Sequence, residues 1–159
     1  MAVELDDLDL RIVETLLRDG RAPAAQIAEQ IGLSRPAVAD RIEKLERQGV
    51  IRGTTAVVEP RTLGKEVTAF VAARGEPLGA KAWAQFVELM RSDDEILEVH
   101  TVAGDDCFFI KVRTDSIASL NTLVHRLNQA PLSLATRTTI VMETHCEKVG
   151  GIVLGDVKR

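Results

Sequence analysis

The chain has only two cysteines in 159 residues, and neither sits in a Cys-x-x-Cys pair. That excludes a disulfide framework, and Cys107 and Cys146 are expected to be ordinary reduced thiols. The three histidines are scattered. His145 and Cys146 are neighbours, so on a strand their side chains point to opposite faces, which works against a shared metal. No metal and no cofactor is expected. There is also no apolar run approaching the roughly 20 residues that cross a bilayer. The opening MAVELDDLDLR is acidic from its fourth residue, unlike the basic start and apolar middle of a signal peptide. Cytoplasmic localisation without a membrane partner is the expectation. Finally, there is no surplus of positive charge: 24 acids face 20 bases for a net charge of -4. At first sight that speaks against a polyanionic partner. What is present, 45% hydrophobic and 28% charged residues, is ordinary globular composition. The length suits one domain of usual size or two small ones.

Helical spacing dominates the first third. Between Asp6 and Asp19, Leu8, Ile12 and Leu16 recur on one face, and Asp6 and Asp7 sit favourably near the N-terminal dipole. Gly20 stops this helix. A second helix is expected from about Pro23 to Ile31, burying Ile27 and Ile31, with Gly32 ending it in the left-handed conformation. Ser34 then caps a third helix that tolerates Pro36 in its first turn and buries Val38, Ile42 and Leu45 before Gly49. Three short helices of this kind form a compact bundle.

The period changes after Gly49. VIRGTTAVVEP alternates and is β-branched, which reads as one or two strands ending at Pro60, followed by a linker in RTLGKE. Next come a strand over 67–74 and a helix after Gly79 carrying Trp83, Phe86, Val87 and Met90. ILEVHTVAG and CFFIKVR read as two strands joined by a tight Gly-Asp-Asp turn. Ser116 caps a second helix with Ile117, Leu120, Val124 and Leu127 buried, and LATRTTIVMETHC is a long last strand. The order βαββαβ is the split βαβ, or ferredoxin-like, arrangement. GGIVLGDVKR, behind it, has enough β-branched residues for one more short strand. The fold class is therefore α+β, with the expected divisions 1–52 (helix-turn-helix), 53–65 (strand and linker) and 66–159 (ferredoxin-like domain).

The third helix carries a stripe beside its buried face: Ser34, Ala37, Arg41, Lys44 and Gln48. Small residues at the helix start permit close approach to a groove, and Arg41 and Lys44 have the reach for phosphates or base edges. Ser34, Arg35, Pro36, Ala37, Asp40, Arg41 and Lys44 are the residues expected to face DNA; the alternative is a solvated helix in a bundle that binds nothing. Charge is also distributed unevenly. Residues 21–61 hold seven cations against five acids, a local +2, while residues 1–20 hold six acids against two arginines. Those acids are expected on the far side of the bundle. Local placement, not the total, sets affinity for phosphate.

The span LDDLDLRIVETLLRDGRAPAAQIAEQIGLSRPAVADRIEKLERQGVIRG resembles the DNA-binding head of the leucine-responsive, or feast/famine, regulators (the Lrp/AsnC family). The matching features are the Leu-Asp-x-x-Asp opening, Asp-Gly-Arg before the second helix, and Gly-Leu-Ser at the turn. Arg41, Leu45-Glu46 and Gly49 to Ile51 continue the match. The ordered set is specific where single residues are not, and the likeness continues through the βαββαβ half. It implies a winged or plain helix-turn-helix head that binds double-stranded DNA and a ferredoxin-like effector domain. It also implies homodimers that assemble into tetramers or octamers.

The resemblance also gives the turn in VHTVAGDDCFFIKV a role, because there the family carries a motif that lines an amino-acid site between dimers. Gly104 matches that motif. Asp106 replaces the usual aromatic and Cys107 the usual acid, so this copy departs from the commonest form. Backbone N–H groups beside Gly104 suit a carboxylate, and Asp105 or Asp106 suits an ammonium group. Thr136, Thr138 and Thr139 would add hydroxyls. Trp83 and the Phe108/Phe109 pair are assigned to core or interface.

Both faces of strand 67–74 are fairly apolar, and two helices cover only one face of a four-stranded sheet. The second face therefore calls for a partner copy packed sheet to sheet. The leading expectation is a sequence-specific transcriptional regulator modulated by an amino acid or related metabolite, and not an enzyme. The competing ones are an architectural DNA-wrapping protein of low specificity and a tetrapyrrole decarboxylase-like enzyme on the same fold. The enzyme would need convergent histidine and arginine, and His100 and Arg113 show no legible acid–base pairing.

Overall fold

The computed structural model describes residues 3–75, 79–129 and 133–148. The chain divides into two compact units, one built on Met1–Val57 and the other on Val58–Glu147. The suggested C-terminal strand in GGIVLGDVKR lies outside the described residues.

The first unit holds α1 (Asp7–Arg18), α2 (Ala24–Ile31) and α3 (Arg35–Arg47). The start of α1 is a reciprocal cap: the Asp9 N–H donates to Asp6 Oδ1 at 2.7 Å, and the Asp6 N–H to Asp9 Oδ2 at 3.4 Å. Such a box satisfies two of the donors a helix start leaves open. Gly32, at φ 73°, ends α2, and its N–H reaches the Ala28 carbonyl at 2.9 Å. Ile12, Ile27, Ile31, Val38 and Leu45 close the core, with Ile42 packed at its margin. Ser34 Oγ accepts from the Ala37 N–H at 3.3 Å. Ser34→Ala should therefore cost the head about 1 kcal/mol; urea unfolding followed through helical signal checks it.

The expected strands between Val50 and Pro60 do not form. Residues 52–58 are exposed coil, with Val57 at 72% and Val58 at 51% exposure, and a 3-10 turn follows at Pro60–Leu63. The segment has the β-branched alternation of a strand, but a strand exists only with a ladder partner, and this segment has none among the described residues.

The second unit is β1 (Val67–Arg74), α4 (Ala80–Ser92), β2 (Ile96–Thr101), β3 (Phe108–Thr114), α5 (Ile117–Asn128) and β4 (Ala135–Ile140). The sheet runs β2-β3-β1-β4 with every neighbour antiparallel, which is the ferredoxin-like order. Ala69, Val71 and Ala73 of β1 share one face with Phe108, Ile110 and Val112 of β3. Phe86 and Met90 of α4 and Leu120, Leu123 and Leu127 of α5 cover them. The last strand is shorter than expected, six residues instead of the thirteen of LATRTTIVMETHC. The β2–β3 connection is longer than a tight turn. Pairing ends at Thr101↔Phe108 and a Val102 N–H to Cys107 carbonyl bond, so Ala103 to Asp106 form an open loop.

Within this unit the other sheet face carries no helix among the described residues. It displays Phe70 and Phe109, about 40% exposed each, among charged residues. Lys111 bridges Glu98 at 3.1 Å and also contacts Glu147, while Arg113 binds Glu147 at 3.1 Å and Thr68 Oγ1 at 3.2 Å. The Lys111 ammonium beside Glu147 is held above its ordinary pKa, and Glu147 below its own.

Candidate nucleic-acid interface and effector turn

In the head, α2, the Gly32–Ser34 turn and α3 place the start of α3 at the surface. Ser34, Arg35, Pro36 and Asp40 are exposed and Ala37 is half-buried. Arg35 has no ion-pair partner among the described residues. In helix-turn-helix proteins the first residues of the second helix reach base edges, and here that end offers a small hydroxyl, a proline and one arginine.

Arg41 is placed differently from the sequence expectation. Its Nη1 lies 2.7 Å from Asp6 Oδ2 and 2.6 Å from Asp9 Oδ1, and Lys44 Nζ lies 3.6 Å from Asp9 Oδ2. Both cations of the stripe face α1. Nor do the acids of α1 all lie on the far side of the bundle, since Asp6 and Asp9 neutralise the third helix from within. Asp9 is fully buried, and a carboxylate taken out of water needs a counter-charge and hydrogen bonds. A signal for this existed in the sequence. Asp9 precedes Ile12 by three and Leu16 by seven residues, so the helical period puts a charge on the buried stripe.

The Asp6 carboxyl is held below its ordinary pKa, first by the Asp9 N–H it accepts and then by the Arg41 guanidinium. Arg41 is raised correspondingly by Asp6 and Asp9. A depressed carboxylate contributes stability above its unfolded pKa and loses it as pH falls through the folded value. Asp6→Asn keeps a capping side chain but removes this charge. Its thermal midpoint should fall less steeply on acidification than that of the parent; parallel curves would dismiss the pairing.

In the second unit, Gly104 adopts φ 141°, a conformation open to glycine, and Ala103, Gly104 and Asp105 are exposed. Asp106 is not a waiting carboxylate: its Oδ2 accepts from Arg137 Nη2 at 2.9 Å. Nothing in the spacing along the chain points to Arg137, 31 residues from Asp106, as part of this site. It pairs with Ala72 in register, so it lies on the helix-free face, whereas Thr136 and Thr138 pair with Ala73 and Val71 on the helix side. Thr136 Oγ1 donates to Asn128 at 2.9 Å. The structure therefore brings Asp106 to Arg137 and does not bring Thr136 or Thr138 to either. His100 and Arg113, the pair an enzyme would have used, are engaged by Glu98 and by Thr68 and Glu147 on the helix-free face.

Residues 5–52 match the winged helix-turn-helix DNA-binding family, and residues 68–150 match the Lrp/AsnC ligand binding domain. The chain belongs to the Lrp/AsnC family. As a family member it is a DNA-binding transcriptional regulator. It is 35% identical to the HTH-type transcriptional regulator FL11 of Pyrococcus abyssi, over 92% of this chain and 95% of that one. With the regulator LrpA of Mycobacterium tuberculosis the identity is 33%, over 88% and 91%. A solved Mycobacterium tuberculosis feast or famine regulatory protein, complexed with L-methionine, superposes with a TM-score of 0.81. Its identity is 31%, over 92% of this chain and 97% of that one. The Lrp/AsnC assignment covers both units, so the head with its exposed Arg35 and the sheet with its Gly104 turn belong to one regulatory chain. No helix of the described residues is long and apolar enough to cross a membrane.

Proposed function

We propose that this Lrp/AsnC regulator binds operator DNA through the start of α3 and responds to an amino acid held at the Gly104–Asp106 turn. The observation that carries the effector reading is the Asp106–Arg137 pair beside Gly104, inside the matched ligand-binding region. A carboxylate and a guanidinium side by side complement the ammonium and carboxylate of a zwitterion, and the complex of the mycobacterial relative with L-methionine supports that chemistry. Ser34, Arg35, Pro36, Ala37 and Asp40 form the DNA-facing surface, with Arg41 and Lys44 setting the pose of α3 from behind. Phe70 and Phe109 on the helix-free face support a homodimer packed sheet to sheet, from which tetramers or octamers are built.

The test is a thermal-shift screen of the proteinogenic amino acids, since a ligand of the native state raises apparent stability. The best hit is then used in an operator titration against bulk DNA at fixed salt. A ligand that stabilises the chain and changes operator affinity supports the reading. If no amino acid does either, the effector role of the turn is lost. Equal affinity for operator and bulk DNA replaces sequence-specific regulation with architectural wrapping.

A further inference from the structure

On the helix side of the second unit, α4 and the edge strand β2 leave an open groove of about 400 Å³. That volume falls within the range of small-molecule sites. One wall is Trp83, Val87 and Met90; the other is Ile96, Leu97 and Val99. Phe86 also lines the groove, and Trp83 stacks on Phe86 and on the buried Phe108 beneath at centroid distances of 5.5 and 5.8 Å. The sheet register shifts between Ile96 and Glu98, inserting Leu97 as an extra residue in the groove's outer wall. Trp83 and Leu97 are left 40% and 44% exposed, apolar surface that a hydrocarbon guest would remove from water.

Among the described residues, two charged ones line the groove, Arg91 and Glu98. Glu98 is opposite Lys111 in register, and its carboxylate is taken by Lys111 at 3.1 Å and His100 at 3.2 Å. Arg91, in the last turn of α4, has no ion-pair partner among the described residues. We propose that this groove binds an amphipathic monocarboxylate, a branched or aryl hydrocarbon carrying one carboxylate and no ammonium group. The hydrocarbon lies against Trp83 and Leu97, and the carboxylate meets Arg91. An amino acid is disfavoured here because Glu98, the one acid of the described lining, already serves both Lys111 and His100, whereas Asp106 at the turn has Arg137 alone. The groove thus has a ligand class different from that of the Asp106–Arg137 turn.

Trp83 is the single tryptophan and the chain has no tyrosine, so its emission reports on the groove directly. The experiment titrates the full chain with hydrocinnamate, its uncharged amide and L-phenylalanine. Hydrocinnamate should change Trp83 emission saturably, and the other two should bind about tenfold more weakly, the equivalent of one charge-assisted contact. Arg91→Gln, an exposed substitution, should weaken hydrocinnamate by the same factor and leave the amide unchanged. Leu97→Asp should abolish the response, and Gly104→Val should keep it. Absence of saturation, or equal binding by the Arg91→Gln chain, overturns the proposal. So does loss of the response in Gly104→Val, which would merge the groove with the turn. An emission change that follows protein concentration instead of ligand also overturns it, because the occupant is then a second copy of the chain.

Discussion

Arg41→Met is expected to lower the stability of the helical head by about 3 kcal/mol, near the lower end of what removing one partner of a buried pair costs. The substituted side chain keeps its length and apolar stem. What is lost is the counter-charge of Asp9, whose side chain is 1% exposed and whose Oδ1 lies 2.6 Å from the guanidinium. Lys44, 3.6 Å away and partly solvated, offsets only part of that loss. Hydrogen exchange of α1 and α3 amides in the full chain is the appropriate measure, because it reads the head without requiring the whole protein to unfold in one step. Operator affinity should fall as α3 loses its pose, while the salt dependence keeps its slope. A slope flattened by about one unit, with α1 amides protected as before, would mean that Arg41 leaves Asp9 and neutralises a phosphate.

Gly104→Val should abolish the effector response while leaving DNA binding to a single site intact. At φ 141° a β-branched residue is strained, which costs on the order of 1–3 kcal/mol locally. A Cβ at Gly104 would meet nothing within 4 Å in this chain, so the substitution does not fail through a clash with its own fold. It acts by bending the loop away from its conformation and by screening the backbone that a ligand carboxylate approaches. Under the proposed function an effector shifts assembly only through its differential affinity for the states concerned. Removing the site therefore removes the shift and nothing else. Operator titrations of parent and variant, with and without the amino acid from the screen, decide the matter. A variant that responds like the parent places the effector elsewhere.

The sequence by itself determined the elements whose causes are local. Gly32, Ser34 and Ser116 cap or end helices where their chemistry demands it. The period-two run at 67–74 became β1 with the same limits, and the order βαββαβ followed from strand and helix spacing alone. The Lrp/AsnC resemblance was legible for the same reason, being an ordered set of such local features.

Only the tertiary structure decided which charges meet. Arg41 finds Asp9 across 32 residues and Arg137 finds Asp106 across 31. A helical wheel gave Arg41 a face beside the buried stripe without saying that α1 lies there. The turn at Gly104 likewise announced an acid without naming the cation that β4 presents to it. The segment before Pro60 shows the converse, since β-branched alternation describes what a strand requires and cannot supply the neighbour that makes one. Spacing along the chain fixes the local dihedral preferences and the face of each residue. The partner of a long, charged side chain depends on how separate elements pack, and that depends on the shape of the whole core.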